Sequence, residues 1–146
     1  MTPEKQLASF LAKYTPAIRS VAKAALKKMR ERLPGAIELV YDNYNALVIT
    51  FGPTDRVSNI VFSIALYPRW VTLFFRDGAK LRDPQKLLKG SGKTIRHIVL
   101  QSADDLDASA VRALMTQALG GMTFAKRRLV IKSISKKQRP RRPATA

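Results

Sequence analysis

The chain has 146 residues, 46% hydrophobic and 25% charged, the make-up of one globular domain that buries roughly 70% of its unfolded surface. It holds no cysteine and one histidine, which excludes disulfide frameworks, thiolate metal sites and cysteine nucleophiles. Against 10 acidic residues stand 27 Lys and Arg, a formal net charge of +17 that attracts polyanions and repels cations.

Thr2 before Pro3 and Thr15 before Pro16 each place an N-cap ahead of a proline at the first helical position, so two helices open the chain. In the second, Ile18, Val21, Ala22, Ala25, Leu26, Met29 and Leu33 share an apolar face, and Pro34 with Gly35 ends the helix. Arg19, Lys23, Lys27 and Arg30 line its flank. From Ile37 the period becomes that of strands: Glu38 to Tyr41, Ala46 to Phe51, Asn59 to Tyr67 and Trp70 to Phe75, separated by Asp, Asn, Gly and Pro. Asp83 and Pro84 predict one helical turn through Lys89, and Ile95 to Leu100 a fifth strand. Asp107 is the expected N-cap of a last helix with Val111, Leu114, Met115, Ala118 and Leu119 inward, stopped by Gly120 and Gly121.

The expected fold class is α+β: a two-layer sandwich, a mainly antiparallel sheet of about five strands with N- and C-terminal helices on one face. Residues 1–122 form the domain and 123–146 a basic extension with an edge strand over 128–134. A mobile tail is expected beyond, because KKQRPRRPATA offers no apolar anchor before Ala144. Glu4 and Lys5 interrupt any signal peptide, and Pro68 and Arg69 break the most apolar stretch, Ile60 to Phe75, so a cytoplasmic protein away from membranes is expected.

The letters GSGKT, Gly90 to Thr94, look like a phosphate-binding loop, but Leu87 stands where a Walker A motif needs its first glycine, and a strand is predicted where that motif needs a helix. The milder expectation is a positive-φ turn at Gly90 and Gly92, with Lys89, Lys93, Thr94 and Arg96 forming a nest for a carboxylate or phosphate. Tyr41, Asp42, Asn43, Tyr44 and Asn45 are candidate ligand-pocket residues between two strands, although Asp and Asn there also suit plain turn chemistry. His97 has no evident co-ligand, so no metal or cofactor is expected, and no set of nucleophile, base and orienter can be assembled; Glu38 and Asp42 are the one strand-borne carboxylate pair. The aromatics Phe51, Phe62, Tyr67, Trp70, Phe74 and Phe75 are assigned to core packing rather than to base stacking, because their strands lack Lys and Arg.

Three stretches, IELVYDNYNALVITFGP, IVFSIALYPRWVTLFF and KLLKGSGKTIRHIVLQSADDLDASAVRALMTQAL, together resemble the YdhG-like family of bacterial domains of unknown function, over about Ile18 to Leu119. The resemblance implies the same α+β sandwich, and some members of that family are described as frataxin-like intracellular iron chaperones. Frataxin-type iron handling relies on a carboxylate-rich first helix, whereas the N-terminal helical segment here, Met1 to Gly35, sets Glu4 and Glu31 against eight Lys or Arg, so no iron-binding residue carries over. The function expected from the residues is a non-enzymatic binding module for an anionic partner, nucleic acid or a phosphorylated ligand, with an iron chaperone as the alternative implied by the resemblance. A protein partner is also expected where an apolar edge strand invites association.

Overall fold

The computed structural model describes residues 1–143. Thr2 Oγ1 accepts from Lys5 N at 3.2 Å and Thr15 Oγ1 from Ile18 N at 3.4 Å, starting helices α1 (Pro3–Leu11) and α2 (Pro16–Arg32) at the two predicted caps. Just past α2, Gly35 has φ +87°, and a Cβ there would lie 2.9 Å from the Phe124 carbonyl oxygen. The chain reverses only because this residue has no side chain.

Six strands follow: β1 (Ile37–Asp42), β2 (Leu47–Gly52), β3 (Phe62–Leu66), β4 (Val71–Phe75), β5 (Arg96–Leu100) and β6 (Arg128–Ile134). They form one sheet in the order β5-β4-β3-β2-β1-β6. Every pair from β1 to β5 is antiparallel; tight turns join β1 to β2 and β3 to β4, and a long excursion from Arg76 to Ile95 joins β4 to β5. The expected edge strand is the sixth member, parallel to β1, so the mainly antiparallel sheet has one parallel pair at its edge. Its direction follows from the path of the chain, which leaves β5 at one edge, runs through a 3-10 turn (Ala103–Asp107) and helix α3 (Ser109–Leu119), and returns to the opposite edge. The β1–β6 register shifts between Val40 and Tyr41, opposite Ile131 and Ser133, which leaves Lys132 as the extra residue of a bulge.

All three helices lie on one face. Leu7, Phe10, Ala22, Leu26, Met29, Leu106, Val111 and Leu114 pack with Val40, Leu47, Ile49, Phe51, Phe62, Ile64, Leu73 and Phe75 in a single core that Leu129 of β6 also enters. Tyr14, wholly buried between α1 and α2, donates from Oη to Leu66 O (3.0 Å) and accepts from Leu47 N (3.1 Å). Leu47 and Leu66 are register partners, so this hydroxyl clasps the end of the β2–β3 ladder. Burial raises the Tyr14 pKa from its ordinary value, with the nearby Arg141 cation opposing the shift, and the group stays a donor.

Three local expectations are corrected. Asp83 starts no helical turn: its carboxylate accepts from Leu87 N (2.9 Å) and Leu88 N (2.8 Å), and the side chain thereby competes with helical hydrogen bonding. Asp107 is not a cap either; Ala108 holds the N-cap position of α3 without a side-chain bond, and Asp107 closes the 3-10 turn that Ser102 caps. The basic tail, expected to lack an anchor, has one in Arg141, 4% exposed. Its Nη2 lies 3.3 Å from Asp42 Oδ1, its guanidinium 5.7 Å from the Tyr14 ring centroid. Residues 144–146 of that tail lie outside the described residues. Among the described residues no helix is long and apolar enough to cross a membrane.

Candidate anion-binding surface

On α2 the residues Arg19, Lys23 and Lys27 recur every fourth position, which aligns them along one side of the helix. Lys23 and Lys27 are exposed, Arg19 is half-buried, and among the described residues none of the three is in an ion pair. Arg30, expected on the same flank, is turned inward. Its Nε and Nη2 each meet one oxygen of Glu38 at 2.9 Å, a two-bonded fork on a carboxylate that is 1% exposed. Arg127 adds a third bond to Glu38 at 2.8 Å. Around these cations lies a hollow of about 230 Å³ on α1, α2 and β6, lined by Leu7, Leu11, Leu26, Leu129, Lys23, Arg30 and Arg127, with Glu4 as its one acid.

Lower on α2, Lys28 and Arg32 converge with Arg112 on Asp107, at 2.6, 3.0 and 3.3 Å. The hydrogen bond from Lys28 holds the Asp107 carboxyl below the usual carboxylate range, and the same bond raises the Lys28 pKa. These cations are committed to joining α2 to α3.

The glycine turn closes on itself. Lys89 and His97 exchange backbone hydrogen bonds of 2.9 Å in both directions, so Gly90 to Ile95 form a loop leading straight into β5, the strand that the sequence predicts. Gly90 has φ +122° and needs glycine. Gly92 lacks a positive φ, and a Cβ on it would touch nothing within 4 Å, so that half of the expected turn chemistry is absent. Arg96 does not face an incoming anion: its Nη1 donates to the carbonyls of Gly92 (2.6 Å) and Ile95 (2.7 Å). Lys89, Lys93 and Thr94 are exposed around it.

The five candidate pocket residues do not converge. Asp42 is buried on the helix-covered face, between Lys13 at 3.4 Å, Arg141 at 3.3 Å and the Gln138 amide. Tyr41 points to the other face; its hydroxyl is buried with no hydrogen-bond partner, and burial raises its pKa. Asn43 receives Ser133 Oγ at 3.1 Å, and Tyr44 lies beneath the Arg139 guanidinium, 5.0 Å from ring centroid to cation. Asn45 is exposed. The tail and β6 therefore occupy the ground that the sequence offers to a ligand.

The two strand-borne carboxylates, Glu38 and Asp42, share the inward face of β1 with Val40, and each is engaged by one cation from the N-terminal helical segment and one from the C-terminal extension. Alternation alone puts them beside an apolar residue, a signal that buried cations are needed; which cations answer is not written locally. Among the described residues no group of three or more His, Cys, Asp or Glu side chains is placed to hold a metal ion. The aromatics also divide. Phe51, Phe62 and Phe75 are in the core as expected, while Trp70 is exposed and Tyr67 and Phe74 are half-buried on the face that no helix covers. Comparison with family models, with curated proteins and with solved structures returned no match.

Proposed function

We infer that the protein is a non-enzymatic binding module for an anionic partner, nucleic acid or a phosphorylated ligand, acting in the cytoplasm. The observation that carries this reading is the excess of cation over what the fold consumes. Only 10 acids oppose 27 Lys and Arg, and Glu38, Asp42 and Asp107 are already engaged by more than one cation each. The stripe Arg19, Lys23 and Lys27 and the exposed Lys89 and Lys93 are left to solvent, where phosphates neutralise them with release of counterions. The hollow beside Lys23 and Arg127 suits the phosphate of a small ligand equally well. The likeness to the YdhG-like family belongs to the same proposal at the level of the fold.

The test is binding of a fluorescent oligonucleotide, followed by anisotropy against salt. The affinity should fall linearly on logarithmic axes, and the triple variant Arg19→Glu, Lys23→Glu, Lys27→Glu should flatten the slope by about 0.7 to 0.9 for each phosphate that is no longer neutralised. No binding at low ionic strength rejects the reading. Micromolar uptake of ferrous iron in an anaerobic calorimetric titration, with no nucleic-acid binding, replaces it with the iron chaperone.

A further inference from the structure

We propose that the open face of the sheet is the seat of a single strand of nucleic acid, whose bases stack on Trp70, Tyr67, Phe74 and His97. This rests on the polyanion reading above and adds to it the face used and the strandedness of the ligand.

Strand alternation gives the sheet two sides. The helices cover the side of Val40, Ile49, Ile64 and Leu73. On the other side the register lines up His97, Phe74, Ser63, Thr50 and Leu39 in one row across β5 to β1, and Val99, Thr72, Ala65, Val48 and Tyr41 in the next. No residue of these rows belongs to the helix-packed core; Leu39, Thr50, Ala65 and Thr72 are buried beneath neighbouring side chains, and the 3-10 turn Val57–Asn59 borders the row of Phe74. Trp70 is 47% exposed at the head of β4, where it pairs across the hairpin with Tyr67, ring centroids 5.5 Å apart. The Phe74 and His97 rings are 5.6 Å apart. Trp70 and Phe74 are separated by four positions on one extended strand, about 13 Å at the usual rise, so the two aromatic pairs are successive platforms along the same line.

Beside Phe74 the surface is apolar and hollowed. Val48, Val57, Ile60, Phe74 and Ile95 line a depression of about 280 Å³ with Arg76 at its edge. The charges around this face suit phosphates: the exposed Arg69 sits in the turn before Trp70, Arg76 borders the depression with Nη1 on the Val57 carbonyl at 2.9 Å and its other nitrogens without a protein partner among the described residues, and the acid Asp55 is paired with Arg128 at 2.9 Å. Flat rings on a sheet stack on unpaired bases and cannot enter a duplex whose bases are already stacked, which selects single strands. Cations at the border hold the backbone while the rings take the bases, irrespective of sequence.

Trp70 is the only tryptophan in the chain, so its emission reports this face alone. The protein would be titrated with a dodecamer of thymidine, with a duplex of the same length, and with inorganic polyphosphate. Quenching of Trp70 by the single strand, with duplex and polyphosphate binding but leaving emission unchanged, is the expected result. Phe74→Ala and Trp70→Ala should each weaken single-strand binding about tenfold, read by anisotropy of the labelled strand, while polyphosphate affinity stays within about twofold because the cations are intact. Trp70 is exposed, so its variant folds even where Phe74→Ala does not. Single-strand binding without any change in emission, or an equal loss for strand and polyphosphate in Trp70→Ala, overturns the assignment of this face and leaves the polyanion reading standing. Failure of all three polyanions to bind removes both. Sedimentation as a dimer whose dissociation alone changes Trp70 emission also overturns it, with a second copy as the occupant.

Discussion

Replacing Tyr14 with phenylalanine keeps the ring in the core and removes one oxygen. That oxygen serves the Leu66 carbonyl at 3.0 Å and the Leu47 amide at 3.1 Å, in a site with no solvent access. Each buried backbone group left without a partner costs about 1–3 kcal/mol, and because the two sit opposite each other and recover part of the loss, the sum is about 2–4 kcal/mol. At about 3 °C per kcal/mol for a chain of this size, Tyr14→Phe should lower the Tm by about 6–12 °C. The urea midpoint should fall with the slope unchanged, since the folded surface is the same. Tyr41→Phe is the matched control. Its hydroxyl is also buried but has no partner, so its loss should leave stability unchanged or raise it by up to about 1 kcal/mol. Equal Tm values for the two variants, by circular dichroism at neutral pH, would refute the reasoning that partners rather than burial decide what a core hydroxyl contributes.

Glu38→Gln should cost about 2–3 kcal/mol in urea denaturation, because the amide keeps only one acceptor oxygen for the bonds from Arg30 and Arg127, sets an N–H donor against a guanidinium on the other side, and removes the charge that pairs both cations. Arg141→Met should cost about 2 kcal/mol, with Lys13 still 3.4 Å from Asp42 to limit the loss. The Asp107 pKa is depressed in the fold below its ordinary value of 3.8, so its contribution is complete above that value and is lost as the pH falls through the folded pKa. Asp107→Asn should therefore flatten the acid limb of a Tm against pH curve. Desolvation raises the pKa values of the buried Tyr14 and the half-buried Tyr41 and Tyr67; they ionise more readily unfolded, and stability present below pH 10.0 should fall as the pH rises past it.

Features written within a few neighbouring residues are readable in advance. The Thr-Pro pairs mark both N-caps, and alternation marks every strand from β1 to β5 to within a few residues. What escapes depends on partners far along the chain. Asp107 looks like a cap until Lys28 and Arg32 are brought 2.6 and 3.0 Å from it across the core. Arg141 looks like a solvated charge in a basic run, yet Asp42 and Tyr14 accept it from 99 positions away or more. The division of the aromatics escapes for a different reason. In VTLFF both faces of β4 are largely apolar, so parity shows that Phe74 and Phe75 oppose each other but not which of them the helices cover.

The two carboxylates on the inner face of β1 each have one near and one remote cation. Arg30 is 8 positions from Glu38 and Arg127 is 89; Lys13 is 29 from Asp42 and Arg141 is 99. A nascent chain still short of residue 127 thus carries both acids half-neutralised, beside a bare strand edge where β6 belongs. The last seam of this sheet is one that only the C-terminal extension can close, and a chain truncated before it would leave the edge of β1 open to pairing with another chain.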